Sequence, residues 1–222
     1  MTTYQQREPL SRDRIIATAL DLADEGGVNT ISMRRIGQRL GVEAMSLYNH
    51  VANKDEILDG LAEIVLGKIE VPSSDDDWKD GMRRRTTSAR DVFRRHPWAM
   101  GLVETHSQST SPQRLGYHDA ILGVLRNAGF DDRLAMRAFS ILDAYIFGFI
   151  LQELNLSFDD DAGLQEVGAD LLRQMSESFP HLTQVTANAM AQGYDQAEEF
   201  QFGLDLILDA LERLRDRRSG KT

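Results

Sequence analysis

The sequence predicts an all-α protein with a small N-terminal three-helix domain, a linker helix and a larger helical bundle. Apolar residues recur at spacings of three and four along almost the whole chain, and few stretches alternate apolar with polar residues as strands do. The 222 residues, 41% of them hydrophobic, suffice for one to two domains with a buried core. An ordinary globular helical protein is therefore expected.

Composition excludes several classes of protein. The chain has no cysteine, which removes disulfides, thiolate nucleophiles and cysteine-ligated zinc and fits the cytoplasm. The first residues are polar, so no signal peptide is expected, and the longest apolar run, 144–151, is far shorter than a membrane span of about 20 residues. We therefore expect a cytoplasmic protein with no membrane partner.

Charge is distributed unevenly along the chain. The formal net charge is -10, yet residues 28–54 hold Arg34, Arg35, Arg39 and Lys54 against the single acidic Glu43. A locally positive module attached to an acidic body is typical of a protein that binds a polyanion. An asymmetry of this size is a weak sign by itself.

The first two helices are delimited by N-cap residues and glycines. Ser11 starts the first helix, which ends at Gly26-Gly27, and Ser32 starts the second, which ends at Gly41. The inward positions of both helices are apolar: Ile15, Ile16, Ala19, Leu22, Ala23, Met33, Ile36 and Leu40.

A third helix is predicted over about residues 43–50, and a fourth begins at Asn53. Asn53 and Glu56 have the spacing of a capping box, in which Asn53 accepts from the amide of Glu56 while Glu56 reaches back. The fourth helix buries the stripe Ile57, Leu58, Leu61, Ile64 and Val65.

Two short helices joined through Gly41 and packed on a longer one form a helix-turn-helix. Leu47 and Val51 point to the core, so the outer face of the third helix carries Ala44, Met45, Ser46, Tyr48 and Asn49. A thioether can meet a thymine methyl, a tyrosine hydroxyl can reach a phosphate, and an amide can bond base or backbone. The alternative is that Met45 and Tyr48 pack against a neighbouring domain.

Residues 31–62, ISMRRIGQRLGVEAMSLYNHVANKDEILDGLA, resemble the DNA-binding segment of the tetracycline-repressor (TetR) family of bacterial transcriptional regulators. The residues in register with the family pattern are Leu40, Gly41, Val42, Leu47, Tyr48, His50 and Lys54. The resemblance implies a dimer whose two helix-turn-helix modules enter successive major grooves of a palindromic double-stranded operator. It continues more faintly to the closing helix, where residues 202–214, FGLDLILDALERL, resemble the tetracycline repressor's own C-terminal class.

The resemblance also implies roles for individual residues. Ser32 and Arg34 would meet phosphates or bases, Tyr48 the DNA backbone, and Lys54 a phosphate beside a helix N-terminus. Ala44, Met45 and Ser46 would face base edges. Family members often carry more hydrogen-bonding side chains at these positions, so this protein would depend on apolar contacts and DNA shape.

Arg35, Arg39 and His50 can each have either a DNA-binding or a structural role. Arg35 and His50 complete the set of DNA-binding candidates, together with Asn49. For Arg35 and Arg39 the alternative is a solvated helix charge, and for His50 it is a structural role.

The resemblance implies a division into a DNA-binding domain at 1–54, a linker helix at 55–70 and a ligand-binding and dimerisation domain at 71–222. Residues 134–153 are apolar nearly all round, and Phe200 onward is apolar at 4-3-4-3 spacing, with Gly203 allowing a close neighbour. We expect both helices in a four-helix interface between two chains, the alternative being one monomeric bundle. The dimerisation candidates are Phe139, Leu142, Ile146, Phe200, Leu204, Ile207 and Leu211.

The resemblance further implies an unknown small-molecule effector that enters the C-terminal domain and lowers operator affinity. Apolar and aromatic residues with a few polar groups are the candidates, with plain core as the alternative. They are Met82, Arg85, Trp98, Met100, Leu102, His106, Tyr145 and Phe149. Glu70, Arg85 and Ala89 stand where a tetracycline–metal chelate wants histidine and amide ligands, so tetracycline is not the expected effector.

Enzyme chemistry is not expected. The sequence has no Glu-x-x-His pair for a di-metal site, no Gly-rich phosphate loop and no triad spacing, so no catalytic residue, metal ligand or cofactor is predicted. A helical metal-carboxylate enzyme and a helical interaction protein that does not bind DNA remain the alternative functions.

Overall fold

The computed structural model describes residues 9–105, 111–155, 178–193 and 195–218. Over these residues the chain forms ten α-helices and no strand, which confirms the predicted all-α class. The helices are α1 Arg12–Gly26, α2 Met33–Leu40, α3 Ala44–Leu47, α4 Lys54–Leu66, α5 Trp78–Arg95, α6 Ala99–Thr105, α7 Pro112–Asn127, α8 Asp132–Asn155, α9 Pro180–Gln192 and α10 Gln196–Arg218.

The chain divides into two compact units, residues 1–139 and 140–222. The first unit contains α1 to α4, which we call the reader, together with α5 to α7. The predicted domain boundaries at residues 54 and 70 concern function and stay a prediction.

Local caps start and stop α1 and α2 as the sequence predicts. The Ser11 hydroxyl accepts from the amide of Arg14, and the Ser32 hydroxyl accepts from the amide of Arg35. Gly27, at φ 78°, ends α1 and leads into a short 3-10 turn, Val28–Thr30, which the sequence analysis did not predict. All five inward residues predicted for α1 are buried, as is Ile36 of α2.

The turn between α2 and α3 depends on two glycines. Gly41 is left-handed, at φ 69° and ψ 36°, and its amide bonds to the Gln38 carbonyl while the Val42 amide bonds to the Gly37 carbonyl at 2.9 Å. This is a Schellman stop, in which glycine avoids the steric penalty of its conformation. A Cβ on Gly37 would lie 2.9 Å from the Val42 carbonyl oxygen, so Gly37 is what lets α2 and α3 approach closely.

The third helix is shorter than predicted. Its α-helical part ends at Leu47, and residues 48–50 continue as turns in which amides bond to carbonyls three residues back. The physical reason lies at its ends: the Glu43 side chain makes no cap hydrogen bond, and buried Val51 draws the chain inward.

The start of α4 refines the predicted capping box. The Asn53 side chain accepts from the Glu56 amide at 2.9 Å, but Glu56 reaches past Asn53 to the Ala52 amide, at 2.7 Å. The other Glu56 oxygen accepts from Nε of Arg12, at the start of α1, at 2.8 Å. Glu56 therefore caps α4 and connects it to α1.

The long helices α8 and α10 have a buried and an exposed apolar side. In α8, Leu142, Ile146 and Ile150 are buried, as expected of a core helix, although its length and apolar composition also fit a membrane span. In α10 the buried stripe is Phe200, Leu204, Leu208 and Leu211. The 4-3-4-3 spacing that starts at Phe200 instead predicts Ile207 and Leu214 on this stripe, in place of Leu208. Asp195 caps α10 through the Ala197 amide.

Candidate nucleic-acid interface

The outer face of α3 is open to solvent. Met45 is 74% exposed and Tyr48 is 48% exposed, whereas Leu47 and Val51 are buried. Ala44 and Ser46 are partly exposed, and Asn49 and His50 are exposed beyond the helix end. The structure thus brings these six candidates together on one surface and excludes the alternative that the described protein itself covers Met45 and Tyr48.

Two basic side chains on the neighbouring helices of the reader have no internal partners. Arg34, on α2, and Lys54, the first residue of α4, are exposed and make no hydrogen bond or ion pair within the described chain. Each can therefore give its charge to a phosphate without breaking a protein contact. Lys54 also lies at a helix N-terminus, where the helix dipole attracts anions.

The other polar candidates on α2 already have structural roles. The Ser32 hydroxyl is the N-cap acceptor, and Nη1 of Arg35 donates to the Thr30 carbonyl at 3.2 Å. Arg39 forms a two-bond ion pair with Glu25, at 2.9 and 2.6 Å. The Arg39 hydrogen bonds hold the pKa of the Glu25 carboxyl below its ordinary value, with desolvation acting weakly against them. Arg39 is therefore occupied in tying α2 to α1.

The arrangement suits the major groove of DNA. An exposed helix face with a thioether, a methyl group and small hydroxyl and amide groups can touch base edges, while cations on the same domain can meet phosphates. Aliphatic side chains contact thymine methyls, and no charged side chain stands on Ala44–Leu47. The surface can therefore combine phosphate contacts with largely apolar base contacts.

The effector candidates of the first unit are mostly interior. Met82, Arg85 and Leu102 are buried, and Nε of Arg85 donates to the Tyr117 hydroxyl at 2.8 Å. The Arg85 guanidinium lies over the rings of Tyr117 and Phe139, at 5.3 and 5.7 Å. Tyr117 was not predicted, since nothing in its local sequence indicates a contact 32 residues away.

The remaining effector candidates lie elsewhere. Tyr145 and Phe149 belong to the second unit, where both contact Phe200, and the Tyr145 hydroxyl donates to the Phe200 carbonyl at 2.8 Å. A Cβ on Gly203 would overlap the Tyr145 hydroxyl, which confirms that this glycine admits a close neighbour. Met100 is half-buried, and His106 lies outside the described residues.

Trp98 has a partner that the sequence analysis did not predict. Its indole Nε1 donates to the Asp24 carboxylate of α1 at 2.7 Å, and His96 contacts the same oxygen at 2.6 Å. Trp98 is thus engaged with the reader, and its place among the effector candidates is not supported by this contact. The only local sign of this contact is the titratable His96, which stands before Pro97 at the end of α5.

The dimerisation candidates need a correction. Leu142, Ile146, Phe200, Leu204 and Leu211 are each at most 3% exposed, so these five side chains have almost no surface to offer a partner. Phe139 and Ile207 are half-buried. The exposed apolar side chains of α8 and α10 are Met136, Ile141, Leu151, Phe202, Leu206 and Leu214.

Among the described residues, no group of three or more His, Asp or Glu is arranged to hold a metal ion. The acidic segment before α5 has a structural role instead. Asp77 caps α5, and Asp76 accepts from the Ser73 amide and pairs with Arg84. The Ser73 amide, and then the Arg84 guanidinium, hold the pKa of the Asp76 carboxyl below its ordinary value.

Comparison with known proteins matches the N-terminal and the C-terminal part of the chain to related protein families. Residues 15–61 match the family "Bacterial regulatory proteins, tetR family", and residues 71–215 match "Tetracyclin repressor-like, C-terminal domain". An HTH-type transcriptional regulator of Saccharopolyspora erythraea is 30% identical, over 90% of this chain and 83% of its own. The class C tetracycline repressor of Escherichia coli is 31% identical, over 93% of this chain and 92% of its own.

Solved structures agree with these matches. The Streptomyces coelicolor TetR family protein ActR, in complex with actinorhodin, superposes with a TM-score of 0.75 at 27% identity. The match covers 94% of this chain and 99% of ActR.

Proposed function

Since the chain belongs to the TetR family of bacterial transcriptional regulators and is a DNA-binding regulator, we propose that it acts in the cytoplasm as a homodimeric repressor. It occupies a palindromic operator through two readers and leaves it when a small molecule binds the C-terminal domain. Transcription of the regulated gene then begins.

The observation that carries this proposal is the exposed face of α3. Met45 and Tyr48 are exposed side by side on α3, and Arg34 and Lys54, on the helices before and after it, have no partners among the described residues. In the proposed complex Ala44, Met45 and Ser46 meet base edges, Tyr48 and Asn49 meet the backbone, and the two cations meet phosphates. Ser32, Arg35 and His50 remain candidate contacts at the border.

The exposed apolar side of α8 and α10 supports the homodimer. Ile141 and Leu151 on α8, and Phe202, Leu206 and Leu214 on α10, are each 45–65% exposed. Apolar patches of this kind mark contact surfaces between proteins. We propose that these side chains, together with half-buried Phe139 and Ile207, meet their counterparts in the second copy.

The effector site is proposed within the C-terminal domain. ActR has been solved in complex with actinorhodin, and this chain matches it over nearly its whole length. Candidate contacts in the first unit are Met82, Arg85, Met100 and Leu102, with Trp98 the weakest because its indole N–H already bonds Asp24. Tyr145 and Phe149 stay separate candidates within the second unit. The Arg85 guanidinium and the Tyr117 hydroxyl would supply the polar contacts.

Selection of duplexes from a random library by the purified protein tests the proposal. We expect one palindromic sequence to be enriched and to bind a protein dimer in fluorescence anisotropy and in mass measurement. Tyr48→Ala and Lys54→Ala should each weaken operator binding at unchanged dimer mass. Asp75→Ala, a change on the exposed segment before α5, is the control that leaves affinity unchanged.

Two outcomes would contradict the proposal. If no duplex is enriched, the proposed operator binding is wrong, and the result favours the alternative of a helical interaction protein. Unchanged binding by both Tyr48→Ala and Lys54→Ala would remove α3 and α4 from the interface. Actinorhodin, added to the preformed complex, is the first probe for release.

A further inference from the structure

Four side chains connect the reader to α5 and α6 within the first unit. One carboxylate oxygen of Asp24, on α1, lies 2.6 Å from Nδ1 of His96 and 2.7 Å from the Trp98 indole nitrogen. The ammonium of Lys68, which follows α4, lies 2.9 Å from Nε2 of His96. His96 is the residue that ends α5, and Trp98 directly precedes α6. We call Asp24, Lys68, His96 and Trp98 the joint.

The chemistry of the joint fixes its protons. An ammonium group only donates, which assigns the acceptor role to Nε2 of His96 in its contact with Lys68. The ring proton is then on Nδ1 and is donated to Asp24, which also receives the indole N–H of Trp98. Asp24 thus receives two donors at one oxygen, and the Lys68 ammonium contacts the opposite nitrogen of the His96 ring.

The joint is held where a change of geometry is costly. His96 is only 8% exposed, and its ring packs edge-on to that of Trp98, with centroids 6.0 Å apart. A buried polar group that loses its partner pays the cost of its desolvation without compensation. Rotating α1 against the corner between α5 and α6 would therefore break two hydrogen bonds at one oxygen.

From this geometry we infer that Asp24 and His96 are positioning residues that fix the orientation of the reader on α5 and α6. The inference rests on the proposed function, because orientation matters when two readers of one dimer must meet two half-sites at a set spacing. Once one reader is bound, the second binds at an effective concentration set by how tightly both are held. A loosened joint lowers that concentration without changing the contacts of either reader.

A comparison of two duplexes tests the inference. One carries the full operator obtained by selection, and the other carries one intact half-site with the second half scrambled. For Asp24→Ala we expect affinity for the full operator to fall at least about fivefold, the lower range of typical coupling. Affinity for the single half-site should change less than about twofold, since one reader binds it alone. Asp21→Ala, an exposed residue one turn earlier on α1, is the matched control for charge and helix position.

Two histidine variants separate positioning from general packing. In His96→Asn the amide nitrogen lies near the position of Nδ1 and can still donate to Asp24. In His96→Gln the amide reaches the position of Nε2 and meets Lys68 instead. We expect His96→Asn to keep the full-operator affinity better than His96→Gln, an order that a volume effect alone would not produce.

Asp24 is an exposed residue, so Asp24→Ala keeps the test valid even if the buried His96 variants fold poorly. Equal loss on both duplexes would show a damaged reader and overturn the inference, as would unchanged affinity for the full operator. Failure of the wild-type chain to bind either duplex would instead contradict the proposed function, and the role of the joint with it.

Discussion

The reader and the second unit expose surfaces of opposite chemistry. On the reader, the exposed side chains include the thioether of Met45, the phenol of Tyr48 and the cations of Arg34 and Lys54. On the second unit, the exposed side chains of α8 and α10 include isoleucine, leucine and phenylalanine, repeated along both helices. A mixed cationic surface suits a polyanion with apolar groups in its grooves, whereas a repeated apolar surface suits another protein.

This difference shows how one acidic chain can bind DNA. The net charge of -10 repels a polyanion at long range. At contact distance, the charge available to a phosphate depends on which nearby cations lack an acidic partner. Arg12 and Arg39 are neutralised by Glu56 and Glu25, so the cations left for phosphate are few and defined.

The largest effect is expected inside the second unit. Phe200 is fully buried against Tyr145 and Phe149, whereas Phe202, two residues along α10, is 65% exposed. Phe200→Ala should lower the free energy of unfolding by about 3–5 kcal/mol, the range for a phenylalanine cavity. Phe202→Ala should change the free energy of unfolding of the single chain by less than about 0.5 kcal/mol. Urea denaturation followed by circular dichroism measures both.

The same pair separates the two sides of α10. Sedimentation at decreasing concentration should show that Phe202→Ala dissociates into monomers more readily than the wild type. Phe202→Ala that dimerises as tightly as the wild type would show that the exposed apolar side is not the contact surface. The proposed homodimer would then need another interface.

A smaller effect is expected at the turn of the reader. Gly37→Ala places a methyl group 2.9 Å from a backbone oxygen, and backbone cannot move aside as a side-chain end can. We expect a loss of about 1–3 kcal/mol of stability, as for other overpacked sites, with a loss of operator binding. Gly101→Ala is the matched control, since an added Cβ there meets nothing within 4 Å and helix propensity favours alanine. Equal thermal stability of both variants would contradict the assigned role of Gly37.

Local features of the fold could be predicted from sequence, and long-range features could not. Ser11, Ser32 and Asn53 cap their helices as expected because capping depends on residues two or three positions away. The outer face of α3 was also predictable, since Leu47 and Val51 fix its orientation. The contact of Asp24 with His96 joins residues 72 positions apart, and no local pattern indicates it.

The buried side of α10 shows why helical periodicity alone is insufficient. Two apolar stripes run along this helix, one through Phe200 and Leu204 and the other through Phe202 and Leu206. Spacing identifies both stripes but cannot tell which one the chain itself covers. The predicted dimer contacts therefore fell largely on the stripe that packs inside.

Salt dependence separates free from paired cations on the reader. Lys54→Ala and Arg34→Ala each remove one phosphate contact per reader, so the slope of log affinity against log salt should decrease by about two per dimer. Arg39→Ala should change the slope little, because Glu25 holds that guanidinium at 2.6 Å. Anisotropy titrations at several salt concentrations give the slopes. An Arg39 effect equal to that of Lys54 would show that the ion pair opens on DNA.

The smallest effect is expected from Glu56, whose contacts keep its charge within the protein. The Ala52 amide, and then the Arg12 guanidinium, hold the pKa of its carboxyl below its ordinary value. Because the folded-state pKa is depressed, the stabilisation is complete above the unfolded pKa of about 4.3 and is lost as pH falls through the folded-state value. The contribution is less than about 1 kcal/mol, since the side chain remains partly exposed to solvent.

Denaturation at pH 7 and pH 3 should therefore show a stability difference between the wild type and Glu56→Gln that shrinks in acid. Arg12→Ala should reduce this pH dependence without abolishing it, because the Ala52 amide still favours the carboxylate. If Glu56→Gln retained the full acid sensitivity of the wild type, the capping carboxylate would not be the group that titrates.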